Sequence, residues 1–176
     1  MKYLVFSDIH GSLDAAKFIQ KKLSDEKIDK CLCLGDFLYH GPRNDIPEDY
    51  NPKEVFAILN TLKDKLIGIR GNCDSEVDQM VLEFPMMDDN YIFMMGDKKV
   101  CSTHGHIALP NEKLDVVLSG HTHIPVAIKE NGVIYGNPGS IAIPKGGYEK
   151  SYGILSDSEF IVLTMDEEIL MQIEIA

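Results

Sequence analysis

The sequence predicts an α/β protein in which two β-sheets pack face to face with helices outside. Three observations carry this. Short apolar runs rich in Val, Ile and Leu recur and stop abruptly at a polar residue. Helical patterns separate the early runs, and the last third of the chain turns to hairpin-like segments. Strands alternating with helices imply a parallel sheet with crossover connections.

The runs come in order. Tyr3-Leu-Val-Phe-Ser leads to Asp8, and Cys31-Leu-Cys-Leu-Gly leads to Asp36. Leu66-Ile-Gly-Ile-Arg-Gly leads to Asn72, Val100-Cys-Ser-Thr to His104, and Val116-Val-Leu-Ser-Gly to His121. Uninterrupted apolar runs of this length read as strands buried on both faces. Ser12 is suited to cap a helix over Leu13 to Leu23. Pro52 suits the first turn of a helix that includes Val55 to Leu62. Ile124 to Ile134, with Asn131-Gly132 as its turn, reads as a hairpin. Tyr152 to Leu155, Phe160 to Met165 and Ile169 to Ile175 read as further, antiparallel strands. Met86-Met87 and Met94-Met95 read as core or edge filler and leave a homo-oligomer interface open.

The chain has 176 residues, with 17 Lys+Arg against 28 Asp+Glu, a formal net charge of -11. That length suits one domain, 1–176. The acidic balance argues against a broad basic face for long nucleic acid and against docking on an anionic membrane. It leaves room for a small phosphate ester, because net charge describes the surface and not one pocket. No apolar stretch reaches the roughly 18 residues of a membrane span, and Tyr3 to Phe6 is too short for a signal-peptide core. The four cysteines, Cys31, Cys33, Cys73 and Cys101, have neither metal nor disulfide spacing. A reducing cytoplasm is the simplest compartment.

In parallel sheets, functional groups gather beyond the C-terminal strand ends. Asp8, His10, Asp36, Asn72, His104, His121 and His123 all fall there. Their oxygen and nitrogen donors suit Mn, Fe, Ni, Co or Zn rather than a thiolate zinc site. Seven such groups exceed the needs of one ion. Two divalent ions fit if one carboxylate bridges and water completes the coordination. Such a pair shares a hydroxide nucleophile and clamps phosphate oxygens. Two such ions, two Asp and one hydroxide leave a net +1 opposite the -1 of a phosphodiester.

These motifs resemble the calcineurin-like metallophosphoesterase family. They are Asp8-Ile9-His10, Gly35-Asp36, Gly71-Asn72-Cys73-Asp74, His104 before Gly105, and Gly120-His121-Thr122-His123. The resemblance covers the whole chain and extends to a bacterial phosphodiesterase subgroup. It does so through His40-Gly-Pro-Arg-Asn44, Asn137-Pro-Gly-Ser140 and Ile143-Pro-Lys-Gly-Gly147. It implies a four-layer αββα sandwich of two mixed sheets flanked by helices. Asp8, His10, Asp36 and His123 would hold one metal; Asp36, Asn72, His104 and His121 the other, with manganese the usual activator. Asn72, Cys73 and His104 are then the expected catalytic residues.

Many family members carry His where Cys73 stands, so leaving-group protonation is the point of departure. A thiol is a poorer proton donor at neutral pH. Arg43, Asn44 and His106 are candidate substrate contacts, since Arg favours bidentate oxyanion binding. Lys145, beside Gly146-Gly147, is a further candidate for reaching phosphate. The expected activity is hydrolysis of a small phosphodiester by a metal-bound hydroxide. The competing expectation is a non-catalytic metal-binding scaffold of the same fold that mediates protein interactions.

Overall fold

Strands whose side chains alternate between two apolar environments form the frame. The computed structural model describes residues 1–25 and 27–175. The first sheet contains β1 (Lys2–Phe6), β2 (Lys30–Cys33) and β3 (Leu66–Gly68), mutually parallel. It continues antiparallel through β9 (Ser151–Ser156), β10 (Glu159–Thr164) and β11 (Ile169–Glu174), in the order β11-β10-β9-β1-β2-β3. The second sheet contains β4 (Asn90–Met95), β5 (Lys98–Thr103), β6 (Val116–Leu118), β7 (Pro125–Glu130) and β8 (Val133–Pro138), in the order β4-β5-β6-β8-β7. Here β5, β6 and β8 are parallel and the two edge strands antiparallel. The Asn131-Gly132 turn joins β7 to β8, with Asn131 at φ 50° and Gly132 at φ 84°.

On β1, Tyr3 and Val5 enter the apolar layer between the sheets, with Leu32, Val116, Leu118 and Phe160. Leu4 and Phe6 face the opposite way, into the layer shared with two helices. Those helices are α1 (Leu13–Asp25) and α2 (Pro52–Thr61). α1 buries Ala15, Ile19 and Leu23, one turn apart, and α2 buries Val55 and Leu59. The Ser12 hydroxyl accepts from the Ala15 amide, and Asn51 caps α2 ahead of Pro52. On the outer side of the second sheet, Cys101 and Val117 pack under Leu114, so an extended segment forms the cover there instead of a helix. The two mixed sheets packed face to face, with α1 and α2 outside the first, are the sandwich expected. Two elements were not anticipated: the edge strand β4 and the six-residue α3 (Glu76–Val81), which buries none of its residues.

Phe160 links the sheets. Gly153 on β9 and Gly136 on β8 make room for its ring: a Cβ would lie 2.6 Å and 2.8 Å from ring atoms, respectively. Phe160 is fully buried. Phe160→Ala is therefore expected to cost about 3–5 kcal/mol. Gly153→Ala is expected to destabilise by overpacking, about 1–3 kcal/mol. Denaturant unfolding checks both; a shift under about 1 kcal/mol for Phe160→Ala would contradict this account.

Candidate metal centre

The parallel strands of both sheets deliver their C-terminal loops to one place. After β1 and β2 the loops run together: the amides of Asp8, His10 and Gly11 donate to the carbonyls of Gly35, Asp36 and Phe37, each at 3.0 Å. The Gly120 amide donates to the His104 carbonyl at 3.0 Å, joining the loops after β5 and β6. The His121 amide donates to Asp8 Oδ2 at 3.1 Å, which ties one sheet to the other.

Seven non-glycine residues among those described have positive φ. Five are Asp8 (59°), His10 (47°), Asp36 (59°), His121 (66°) and His123 (60°). The other two, Asn131 and Glu167, are in hairpin turns. Left-handed backbone costs an ordinary residue roughly 1–2 kcal/mol. Concentrating it on five donor-bearing residues marks a site where strain aims side chains. Close glycines make this possible. A Cβ on Gly71 would lie 2.1 Å from Asp36 Oδ1, and one on Gly120 would lie 1.9 Å from Ser7 Oγ.

Two foci result. At the first, His10 Nε2 lies 3.3 Å from His123 Nε2, 3.6 Å from Asp8 Oδ1 and 3.6 Å from Asp36 Oδ2. At the second, His104 Nε2 lies 3.0 Å from Asn72 Oδ1, 3.3 Å from His121 Nδ1 and 3.5 Å from Asp36 Oδ2. Asp36 belongs to both. Its Oδ1 is held by the Cys73 amide at 2.9 Å, which leaves Oδ2 facing the foci. Asp8 does likewise: Oδ2 accepts from the His121 amide, while buried Oδ1 faces the imidazoles, 3.3 Å from His123 Nε2 and 3.6 Å from His10 Nε2.

Ring nitrogens facing away decide the tautomers. The Nδ1 atoms of His10, His104 and His123 lie 2.8, 2.6 and 2.5 Å from the carbonyls of Tyr39, Leu34 and Ile143. A carbonyl only accepts, so each Nδ1 carries hydrogen, and the neutral ring turns its Nε2 lone pair inward. His121 faces the second focus through Nδ1. Lone pairs of nitrogen and oxygen therefore converge with no donor between them. A cation or extra protons must satisfy them, so these residues fit divalent metal ions. Within this group, Asp8–His10–His123 and Asp8–Asp36–His104 each bring three ligand atoms within 4.8 Å of one another, as does His10–Asp36–Cys73.

Without metal, protons substitute. Burial alone would lower His104, but the hydrogen bond to Asp36 and the charges of Asp8 and Asp36 raise it to about 9. His10 is raised by Asp8 in the same way against its burial. Burial would raise Asp8, but the hydrogen bonds of His10 and His123 win and lower it. His121 is lowered by burial and by His104.

Asp74 is the residue whose role the sequence did not disclose. Its buried carboxylate accepts from the amides of Asp36, Phe37 and Gly71 at 2.8, 2.8 and 2.7 Å. Burial first, and then the charge of Asp36, pushes it up to about 6 against those amides. It clasps the loops after β2 and β3 and thereby sets Asp36. Ser140 acts similarly, donating from Oγ to the Asp8 carbonyl at 2.9 Å. Asn137 Nδ2 donates to the Gly120 carbonyl at 2.8 Å.

An open cleft lies above the foci. Asp36, Asn72, Cys73, His121 and His123 reach it from below; Arg43, Asn44 and Lys145 border it. Asn44 Nδ2 donates to the His40 carbonyl, so this amide shapes the turn carrying Arg43. His40 is packed between Tyr39 and Tyr50, at ring separations of 4.8 and 5.5 Å. His106 stands beside His104 and His121, at 5.2 and 6.3 Å, and is not among the residues bordering the cleft. Cys73 Sγ accepts from Asn72 Nδ2 at 3.3 Å.

Two outcomes are expected. In metal-free protein the raised His104 stabilises fully below its unfolded value near 6.5, and this is lost as pH rises through about 9. Metal must displace that proton, so binding at pH 7 releases protons and tightens up to about pH 9. Calorimetry in buffers of different ionisation enthalpy checks this; metal binding with no proton release would contradict it. Asp74→Asn, measured by metal titration with folding followed separately, is expected to weaken binding about 10–100-fold, as for other outer-shell partners.

Residues 1–159 match the family model described as the calcineurin-like phosphoesterase superfamily domain. The phosphodiesterase YfcE of Escherichia coli K12 is 41% identical over 181 residues, covering 99% of this chain and 98% of that protein. The probable metallophosphoesterase YsnB of Bacillus subtilis is 26% identical, covering 89% of this chain and 84% of its own. The solved structure of YfcE, a phosphoesterase from E. coli, superposes with a TM-score of 0.96, covering 100% of each chain at 41% identity. Vps29 of Entamoeba histolytica, solved with Zn2+, shares the fold with a TM-score of 0.64 at 21% identity, over 100% of both chains. With the family model matched along nearly its whole length, the chain belongs to the calcineurin-like phosphoesterase superfamily.

Proposed function

We propose that the protein is a metal-dependent phosphodiesterase that hydrolyses a small phosphodiester. One observation carries the reading: two foci of four donor atoms share Asp36 Oδ2 beneath an open cleft. The likeness to YfcE, a phosphodiesterase by name, supports it. Asp8, His10, Asp36 and His123 would hold one ion, and Asp36, Asn72, His104 and His121 the other. When bound, two divalent ions, manganese first among candidates, supply an activated water nucleophile and a positive clamp for phosphate oxygens. The chain's own residues do the rest. The imidazoles stay oriented by their carbonyl partners, and Asn72 keeps its amide oxygen turned to the second focus beside His104 Nε2. Asn44, on the loop after β2, meets the substrate in the cleft with Arg43 beside it at the opening, and His106 supports the imidazoles of His104 and His121.

Cys73 sets the leaving-group preference. Burial, then the charge of Asp36, pushes its thiol up to about 12 in the metal-free protein. Even an unperturbed thiol, at about 8.5, is a poorer proton donor than imidazole at neutral pH. The preferred substrates are those whose leaving group needs no proton, such as nitrophenyl diesters. We assign the protein to the cytoplasm as a single domain. Among the described residues, no helix is long and apolar enough to cross a membrane.

Hydrolysis of bis-p-nitrophenyl phosphate after metal stripping tests this. Turnover is expected to return with Mn2+. Asp36→Ala should lose more than the roughly 10–100-fold attached to outer-shell changes. Bound metal without turnover on any divalent ion would favour the scaffold reading. Cys73→His is expected to keep the metal content while lowering the ratio of aryl to alkyl diester rates. Equal aryl and alkyl rates in the unmodified protein would contradict the role given to Cys73.

A further inference from the structure

The cleft carries more positive charge than a single phosphodiester requires. The floor is buried: Asp8, His10 and His104 are fully so, and Asp36 nearly so. Even loaded with two divalent ions, that floor would have its charge offset by Asp8, Asp36 and the buried Asp74 carboxylate, so it has no surplus for a second anion. Arg43 and Lys145 stand at the mouth instead, on exposed positions of two different loops, and add two further charges. Among the described residues, neither makes an ion pair or a side-chain hydrogen bond, in a chain with 28 acidic residues against 17 basic.

Both are carried on shaped backbone. Gly41, at φ 80°, brings the Arg43 loop so close to Cys73 that a Cβ there would lie 2.9 Å from Sγ. The Lys145 amide donates to the His123 carbonyl at 3.2 Å, and Gly146 and Gly147 follow at φ 69° and 80°. Two cations thus border one opening from separate loops.

We infer that Arg43 and Lys145 form a subsite for a second phosphate group, so the substrate is a phosphodiester with a phosphomonoester on one ester arm. This rests on the phosphodiesterase reading and specifies its substrate class. Two positive charges match a phosphate dianion, and guanidinium meets phosphate oxygens in bidentate fashion.

The test compares p-nitrophenyl thymidine 5′-phosphate with its 3′-phosphorylated and 3′-O-carboxymethyl derivatives, on metal-loaded protein. Calorimetric binding of thymidine 5′-phosphate and thymidine 3′,5′-bisphosphate reads the subsite without turnover. The 3′-phosphate is expected to lower KM, and to tighten binding, about 10-fold or more, from charge-assisted hydrogen bonds. In Arg43→Gln and Lys145→Gln that advantage should shrink to under about threefold. An equal KM for the unsubstituted and 3′-phosphorylated probes, with equal binding of the two nucleotides, would overturn the inference. So would variants that weaken both probes alike, since the cations would then hold the scissile phosphate. A carboxymethyl arm as good as phosphate would overturn the assignment to phosphate. If no probe releases nitrophenol with any metal, the phosphodiesterase reading falls. The subsite then stands if the bisphosphate keeps its advantage and falls if it does not.

Discussion

Asp8 and Asp36 are buried where the two sheets meet, and each keeps one oxygen off the backbone hydrogen-bond network. An isolated buried carboxylate costs several kcal/mol even after relaxation. The surrounding structure answers that cost. Imidazoles from both sheets close on the free oxygens. Five left-handed backbone positions hold the donors in place. Glycines at 35, 71 and 120 remove the side chains that would collide with them. The apolar layer between the sheets, pinned by Phe160, supplies the rigidity that keeps such strain from relaxing.

Much of this was legible because a parallel strand announces its own end. An apolar run that stops at Asp, Asn or His places that residue beyond the sheet, and five runs did so. The helices were legible from Ser12, Pro52 and one-turn apolar spacing. α3 was not, since a helix that buries nothing has no apolar period to read. β4 was not, because an edge strand with Tyr91, Ile92 and Met94 exposed lacks the alternation of a half-buried strand. Within the site, residue types were legible and roles were not. Asp74 stood in the sequence only as the last residue of Gly71-Asn72-Cys73-Asp74, with no role of its own, and proves to be a backbone clasp. Only coordinates distinguish the Nδ1 presented by His121 from the Nε2 of the other three rings.

The net charge of -11 takes on a different meaning at this scale. Acidic residues dominate the chain, yet cations border the cleft and nitrogen ligands dominate its floor. Field at a concave site depends on the few charges that line it rather than on the total. On the proposed reading, a short phosphate ester meets that lining and not the acidic total.

The outward-facing nitrogens have a mechanical consequence. His10 holds the carbonyl of Tyr39, in the loop that leads to Arg43, and His123 holds that of Ile143, in the loop that leads to Lys145. Each ring is thus a strut between the floor of the cleft and one of its walls. Charge placed on the inner nitrogen polarises the outer N–H and tightens its grip on the carbonyl. The residues that would hold a metal are therefore the same ones that tie the two cationic loops to the floor.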